Sequence, residues 1–252
     1  GLVLKPFPVP ITVLLGVATS SILLSNTKDV LAGYSNTALW LIFAAFALSV
    51  AFGKTGLGHR IAYHLVRLFG STTLRLGYVT AFLDLILSPA TPSNTARAAG
   101  IVYPINLSIA EAVGSYPGET AKKAGAYLLQ NGYFATKVTS FLFATAMAPN
   151  YLALDFITKL TGVSLNWAQW AAAMFVPGFI MLMLIPLIGY MYERPSVKDI
   201  DNKKIAADGL VELGPIKASE KGLIVIALLA ITGWILPTFD IKIDATAVAL
   251  VA

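Results

Sequence analysis

Long apolar stretches separated by short polar clusters set the pattern of this chain. Residues 10–24 are apolar and end at the polar turn "SNTKD", and residues 37–52 form a second apolar run with Ser35 or Asn36 placed to cap its start. A third run, residues 167–192, carries Trp167 and Trp170 near one end and Tyr190 and Tyr192 near the other, and residues 222–236 begin a fourth. About 20 apolar residues cross a bilayer core, and aromatic side chains gather at its two surfaces. The pattern predicts an all-α polytopic membrane protein.

Other segments break this rhythm. In "KTGLGHRIAYHLVRLFG", residues 54–70, Leu57, Ile61, Leu65, Leu68 and Phe69 share one helical face while His59, Arg60, His64 and Arg67 take another. That predicts a helix lying in the membrane interface. Lys54, Arg60, Arg67 and Arg75 come with no intervening acid, so this side is expected to face the cytoplasm. Residues 73–88 are mostly apolar around Asp84, and residues 96–112 are mostly small and apolar around Arg97 and Asn106, with Pro89 and Pro92 between the two runs. Proline removes a backbone donor and disfavours helix at the residue before it. The expected structure is a re-entrant hairpin with "PATPSNT" as its tip, because irregular backbone at membrane depth survives only where protein buries it or a watery cavity adjoins it.

A span flecked with polar residues follows, residues 124–148, holding Gln130, Asn131, Thr136, Lys137, Thr139, Ser140 and Thr145. It is predicted to unwind at "MAPNYLA", with Pro149 and Asn150 in the unwound stretch and helix resuming towards Leu160. Two interruptions in succession are the broken-helix pattern of secondary transporters. Residues 193–221 balance six bases against six acids and read as an aqueous loop on the cytoplasmic side.

Composition narrows the classes. Of 252 residues, 57% are hydrophobic and 12% charged, where soluble domains carry roughly a quarter charged residues. There is no cysteine, which excludes disulfides and thiolate metal sites, and no H-E-x-x-H spacing, so neither metal nor cofactor is expected. The net charge of +5 fits the bias of cytoplasmic loops, and no basic stripe interleaved with aromatics suggests nucleic-acid binding. The chain starts at Gly1 and stops in "DATAVALVA", and is read as a piece of a longer protein.

The tripeptide Ser-Asn-Thr occurs at residues 25–27, 35–37 and 93–95. The first two copies fall at turns and helix starts, where these residue types are common. The third sits at the hairpin tip. There, the free backbone N–H groups at the start of the second limb favour an anion. Hydroxyls of Ser93 and Thr95 and the amide of Asn94 complete a neutral, donor-rich site suited to a carboxylate. Arg97 adds a full positive charge whose partner is Asp84, the substrate or both, since a buried arginine is costly unless paired. Pro92, Thr139, Ser140, Thr145 and Asp84 form a second tier of candidates. His59 and His64 lie on the surface helix, which leaves a hydrolase reading, with Ser93 as nucleophile, without a general base. A channel fits convergent tip donors less well than a binding site of alternating access.

The segments "KTGLGHRIAYHLVRLFG", "SPATPSNTARAAGIVYPI", "GAYLLQNGYF" and "ATAMAPNYLALDF" resemble the divalent anion/sodium symporter superfamily, and specifically its exchanger branch. The resemblance implies an inverted-repeat, elevator-type secondary transporter, working as a homodimer and carrying di- or tricarboxylate anions such as 2-oxoglutarate, malate or succinate. It implies scaffold helices over residues 1–53, an interfacial helix over 54–72 and a transport domain over 73–192. Within that domain lie a hairpin at 73–113, a broken helix at 121–161 and a helix at 167–192. A cytoplasmic loop at 193–221 and the start of the second repeat at 222–252 follow. Ser93, Asn94, Thr95 and Asn150 would bind a substrate carboxylate, and Arg97 would supply the charge that sodium supplies in coupled relatives. Antiport without sodium is therefore expected, with sodium-coupled symport as the alternative. A bacterial plasma membrane fits better than a plastid envelope.

Overall fold

The computed structural model describes residues 7–24, 26–91, 93–239, 241 and 243–252. Among them there is no β-strand, only an isolated antiparallel bridge between Thr72 and Asp199. Helix α1 (Val9–Leu23) buries none of its side chains, and a short α2 (Thr27–Leu31), capped by Asn26, leads to α3 (Thr37–Thr55). Two described helices, Trp167–Glu193 and Ala218–Phe239, are long and apolar enough to cross a membrane alone, and a bent pair over 27–35 and 39–55 makes a third.

Gly56, with φ +81°, turns the chain into the amphipathic helix α4 (Leu57–Phe69). The face it buries against protein is Leu57, Gly58, Ala62, Tyr63 and Val66, whereas Leu68 and Phe69 of the expected apolar face are 70% and 59% exposed. Helix α5 (Thr73–Leu87) starts at Thr72, whose hydroxyl accepts from the Arg75 N–H at 3.2 Å, and gives way at Pro89 to a short turn, Ser88–Ala90. The second limb is continuous helix through α6 (Asn94–Arg97), a widened π turn (Ala98–Val102) and α7 (Tyr103–Ala112). The π turn runs up to Pro104, which lacks the N–H that residue 100 would accept from in an α-helix.

Both limbs pack on α8 (Gly125–Leu142). Gly77 lets α5 approach so closely that a Cβ there would fall 1.9 Å from the Tyr127 hydroxyl. Buried amides join the helices: Asn131 Nδ2 donates to Gly77 O at 2.8 Å, and Asn106 Nδ2 to Leu128 O at 2.9 Å. Helix α8 breaks at Phe143–Met147, earlier than expected, and α9 (Ala148–Thr161) already contains Pro149 and Asn150 in its first turn. Proline is tolerated in a first turn because its missing N–H would have no helical partner there. Pro149 therefore starts a helix instead of sitting in the gap.

Helix α10 (Trp167–Glu193) begins with a reciprocal Asn166–Gln169 capping box and lies along α8. The segment expected as an open loop holds a helix, α11 (Asn202–Leu213), which packs on α4. A Cβ at Gly209 would strike the Tyr63 ring at 2.3 Å, and Asn202 Nδ2 donates to Val66 O and Arg67 O, both at 2.9 Å. Arg60 closes the assembly, with Nε 2.5 Å from a Glu220 carboxylate oxygen and Nη2 3.0 Å from Gly214 O. Glu220 lies in the first turn of α12 (Ala218–Ile235), which a short α13 (Ala245–Val251) follows. One apolar cluster unites α4, α5, α7, α8, α11 and α12, and a second gathers Leu41, Tyr151, Trp170 and Trp234.

Candidate functional site

The two irregular stretches that the prolines impose meet in space. The turn Ser88–Ala90 at the end of α5 packs against the turn Ala144–Ala146 between α8 and α9. Arg97, on the first turn of the second limb, reaches back into this junction with no exposed surface. Its Nε lies 3.0 Å from Asp84 Oδ1, itself fully buried. Its Nη1 donates to the carbonyls of Thr91 and Ala146, the latter at 2.9 Å, and Nη2 approaches Thr139 Oγ1 at 3.4 Å. The Thr139 hydroxyl donates to the other Asp84 oxygen. One guanidinium therefore ties α5, the segment ahead of α6, α8 and the second break together, with Asp84 as its protein partner.

The tip faces outward from this knot. Ser93 caps the second limb, accepting from the Ala96 N–H at 3.2 Å, and Asn94 Oδ1 accepts from the Thr95 N–H at 2.8 Å. Ser93 and Asn94 are half-buried and Thr95 is exposed. Among the described residues nothing accepts from the Asn94 amide nitrogen, which remains free to donate. The buried Thr91 hydroxyl likewise has no partner. Pro92 lies outside the described residues. Among the described residues no histidine is hydrogen-bonded to Ser93.

Asn150 is placed as a brace for the break. Both donors of its amide are used, to Ser140 O at 2.8 Å in the last turn of α8 and to Phe143 O at 3.0 Å, which also accepts from the Ala146 N–H. Thr145 accepts from the Trp167 indole N–H at 3.0 Å, and the Ser140 hydroxyl donates to Thr136 O within α8. The structure thus gathers Asp84, Arg97 and Thr139 into one buried network with the tip and braces it with Asn150. The carbonyls of Thr91 and Ala146 complete that network, and no side-chain pattern in the sequence points to a carbonyl.

The whole chain, residues 1–252, matches the family described as the sodium:sulfate symporter transmembrane region, and the chain belongs to that family. Inner membrane protein YbhI of Escherichia coli strain K12 is 50% identical over 258 residues, covering 100% of this chain and 54% of that protein. The citrate/succinate antiporter of the same strain is 34% identical over 273 residues, covering 100% of this chain and 56% of the antiporter. Its L-tartrate/succinate antiporter is 34% identical over 256 residues, with 93% and 53% covered. The chain spans about half the length of these relatives. The match agrees with the resemblance carried by "PSNTAR". With its apolar helices, the chain is an integral membrane protein.

Proposed function

We propose that this chain is part of a secondary transporter that exchanges di- and tricarboxylate anions of the succinate, malate and 2-oxoglutarate type, without sodium, across a bacterial plasma membrane. The observation that carries this reading is the pair of hydrogen bonds that Arg97 Nη1 donates, one to Thr91 O and one to Ala146 O. Backbone carbonyls at a hairpin tip and a helix break are the groups that would coordinate a sodium ion in a coupled carrier. Here a tethered cation already occupies a carbonyl from each. Its charge is shared with Asp84, so what it supplies permanently is the link between the two breaks. A link made by the chain's own side chain needs no ion to form it, which supports transport without sodium.

On this reading residues 73–113 form a re-entrant hairpin whose tip donors, Ser93, Asn94 and Thr95, hold one substrate carboxylate. The unwound stretch ahead of Asn150 shapes the other wall of that half-site. An inverted second repeat in the longer protein supplies the partner half-site, and the unit at 73–192 moves like an elevator against scaffold helices in a homodimer. Names of relatives as antiporters support exchange. The second reading, sodium-coupled symport by the same fold, is favoured by the family's description as a sodium:sulfate symporter region. The deciding experiment uses the full-length protein in liposomes, measuring entry of labelled 2-oxoglutarate and succinate with and without internal dicarboxylate and a sodium gradient. Entry that requires internal dicarboxylate and ignores sodium is expected. Sodium-driven entry into empty vesicles would overturn the exchange reading.

A further inference from the structure

A groove of about 650 Å³ between α4 and α5 contains none of the residues of the carboxylate site. Its walls include Leu65, Leu68 and Phe69 from α4 and Tyr78, Phe82 and Ile86 from α5, and its polar end is Arg75. The Tyr78 hydroxyl is turned away, donating to Met183 O at 3.0 Å, so the body of the groove offers no free donor from its walls. Arg75 is exposed, bonds Ser71 Oγ at 2.8 Å through Nη1, and has no ion pair among the described residues. An occupant must therefore be apolar along its length and anionic at one end.

We infer that this groove binds one acyl chain of an anionic phospholipid, with the phosphate on Arg75. Three observations carry the assignment. From Arg75 to Ile86 the helix rises eleven residues, roughly 16 Å at about 1.5 Å each, about half of a bilayer core near 30 Å. The groove thus spans the depth of one leaflet. Arg75 lies at the end that joins α4, and while Glu220 holds Arg60, the other bases of residues 54–75, Lys54, Arg67 and Arg75, make no ion pair among the described residues, so the polar end keeps positive charge that matches a negative headgroup. Finally, α4 turns Leu68 and Phe69 away from the protein core, leaving an apolar edge that lipid covers without cost.

The test is native mass spectrometry of the full-length protein titrated with phosphatidylglycerol or phosphatidylcholine of the same chains. Wild type is expected to retain phosphatidylglycerol about fivefold better, the worth of one basic side chain at an anionic lipid surface. Arg75→Gln should abolish that preference and Arg75→Lys keep it. Ile86→Trp, which fills the deep end, should lower retention of both lipids with Arg75 intact, and carries the test if the glutamine variant fails to fold. Absence of a preference in wild type overturns the assignment, as does a preference that survives Arg75→Gln or retention that survives Ile86→Trp. The first result would follow if further polypeptide or a second copy covers the groove.

Discussion

Asp84 and Arg97, thirteen residues apart on either side of the break at Ser88–Ala90, form an ion pair with no exposed side-chain surface on either partner. Such pairs are weak evidence for stability as units, yet breaking one from either side leaves a buried charge uncompensated. Arg97→Ala should therefore cost about 3–5 kcal/mol, and Arg97→Lys should also lose exchange. A single ammonium with three donors cannot serve Asp84, Thr91, Thr139 and Ala146 at once. The double variant Asp84→Asn/Arg97→Met should regain much of the lost melting temperature while exchange stays absent. Normal coupled exchange by Arg97→Ala in liposomes would remove Arg97 from the mechanism.

Asn94 and Asn150, both expected from the sequence to bind substrate, differ in what their amides already bond. The Asn94 amide nitrogen is uncommitted, while that of Asn150 is spent on Ser140 O and Phe143 O. A hydrogen bond to a charged group contributes about 1.5–3 kcal/mol, so Asn94→Ala should raise the KM for dicarboxylate by roughly 10–100-fold. Asn150→Ala should leave KM within about threefold and instead lower the melting temperature, by the roughly 1–3 kcal/mol that unpaired buried groups cost. Measuring KM and thermal unfolding on both variants separates a ligand from a brace. An Asn150→Ala protein of normal stability and raised KM would reverse the assignment.

What the sequence disclosed depended on how local its signals were. Pro89 and the third Ser-Asn-Thr marked the interruption and the start of the second limb, because proline chemistry and helix capping are decided within a few residues. The Asp84–Arg97 pairing stayed open, since the angle between two hairpin limbs is a tertiary quantity. Pro149 was assigned to the gap although it opens α9, because a proline marks a boundary without saying on which side helix resumes. Helix α11 was hidden by its charges, although Ile205, Ala206, Gly209, Leu210 and Leu213 carry helical spacing and Asp201 caps their start. The face α4 buries was displaced from the expected one because α11 packs on α4 at Tyr63 and Val66 rather than on the row through Leu68.

Docking of α11 depends on a charge pair at its far end. Arg60 holds both Glu220 and the carbonyl of Gly214, the residue that ends α11, and the Glu220 side chain is only 2% exposed. Arg60→Ala should release the α11 segment, since hydrogen bonds to a charged group are worth about 1.5–3 kcal/mol. Amide exchange over residues 202–213 should accelerate by roughly 10–100-fold, while exchange in α8 is unchanged. Equal acceleration throughout would mean general unfolding, and no acceleration would mean that Asn202 and Gly209 hold α11 unaided.

The same assembly holds His59. Burial of His59 on α4 lowers its pKa from the ordinary 6.5, because a half-desolvated imidazolium is less stable than the neutral ring. The folded state therefore binds its proton less readily than the unfolded chain does. The resulting stability is fully present above pH 6.5 and is lost as pH falls through the folded pKa below it. Thermal unfolding of the full-length protein should show a melting temperature that declines on acidification from pH 6.5, and His59→Gln should flatten that decline. A decline that His59→Gln leaves intact would mean that the proton responsible is taken up away from the junction of α4 with the core.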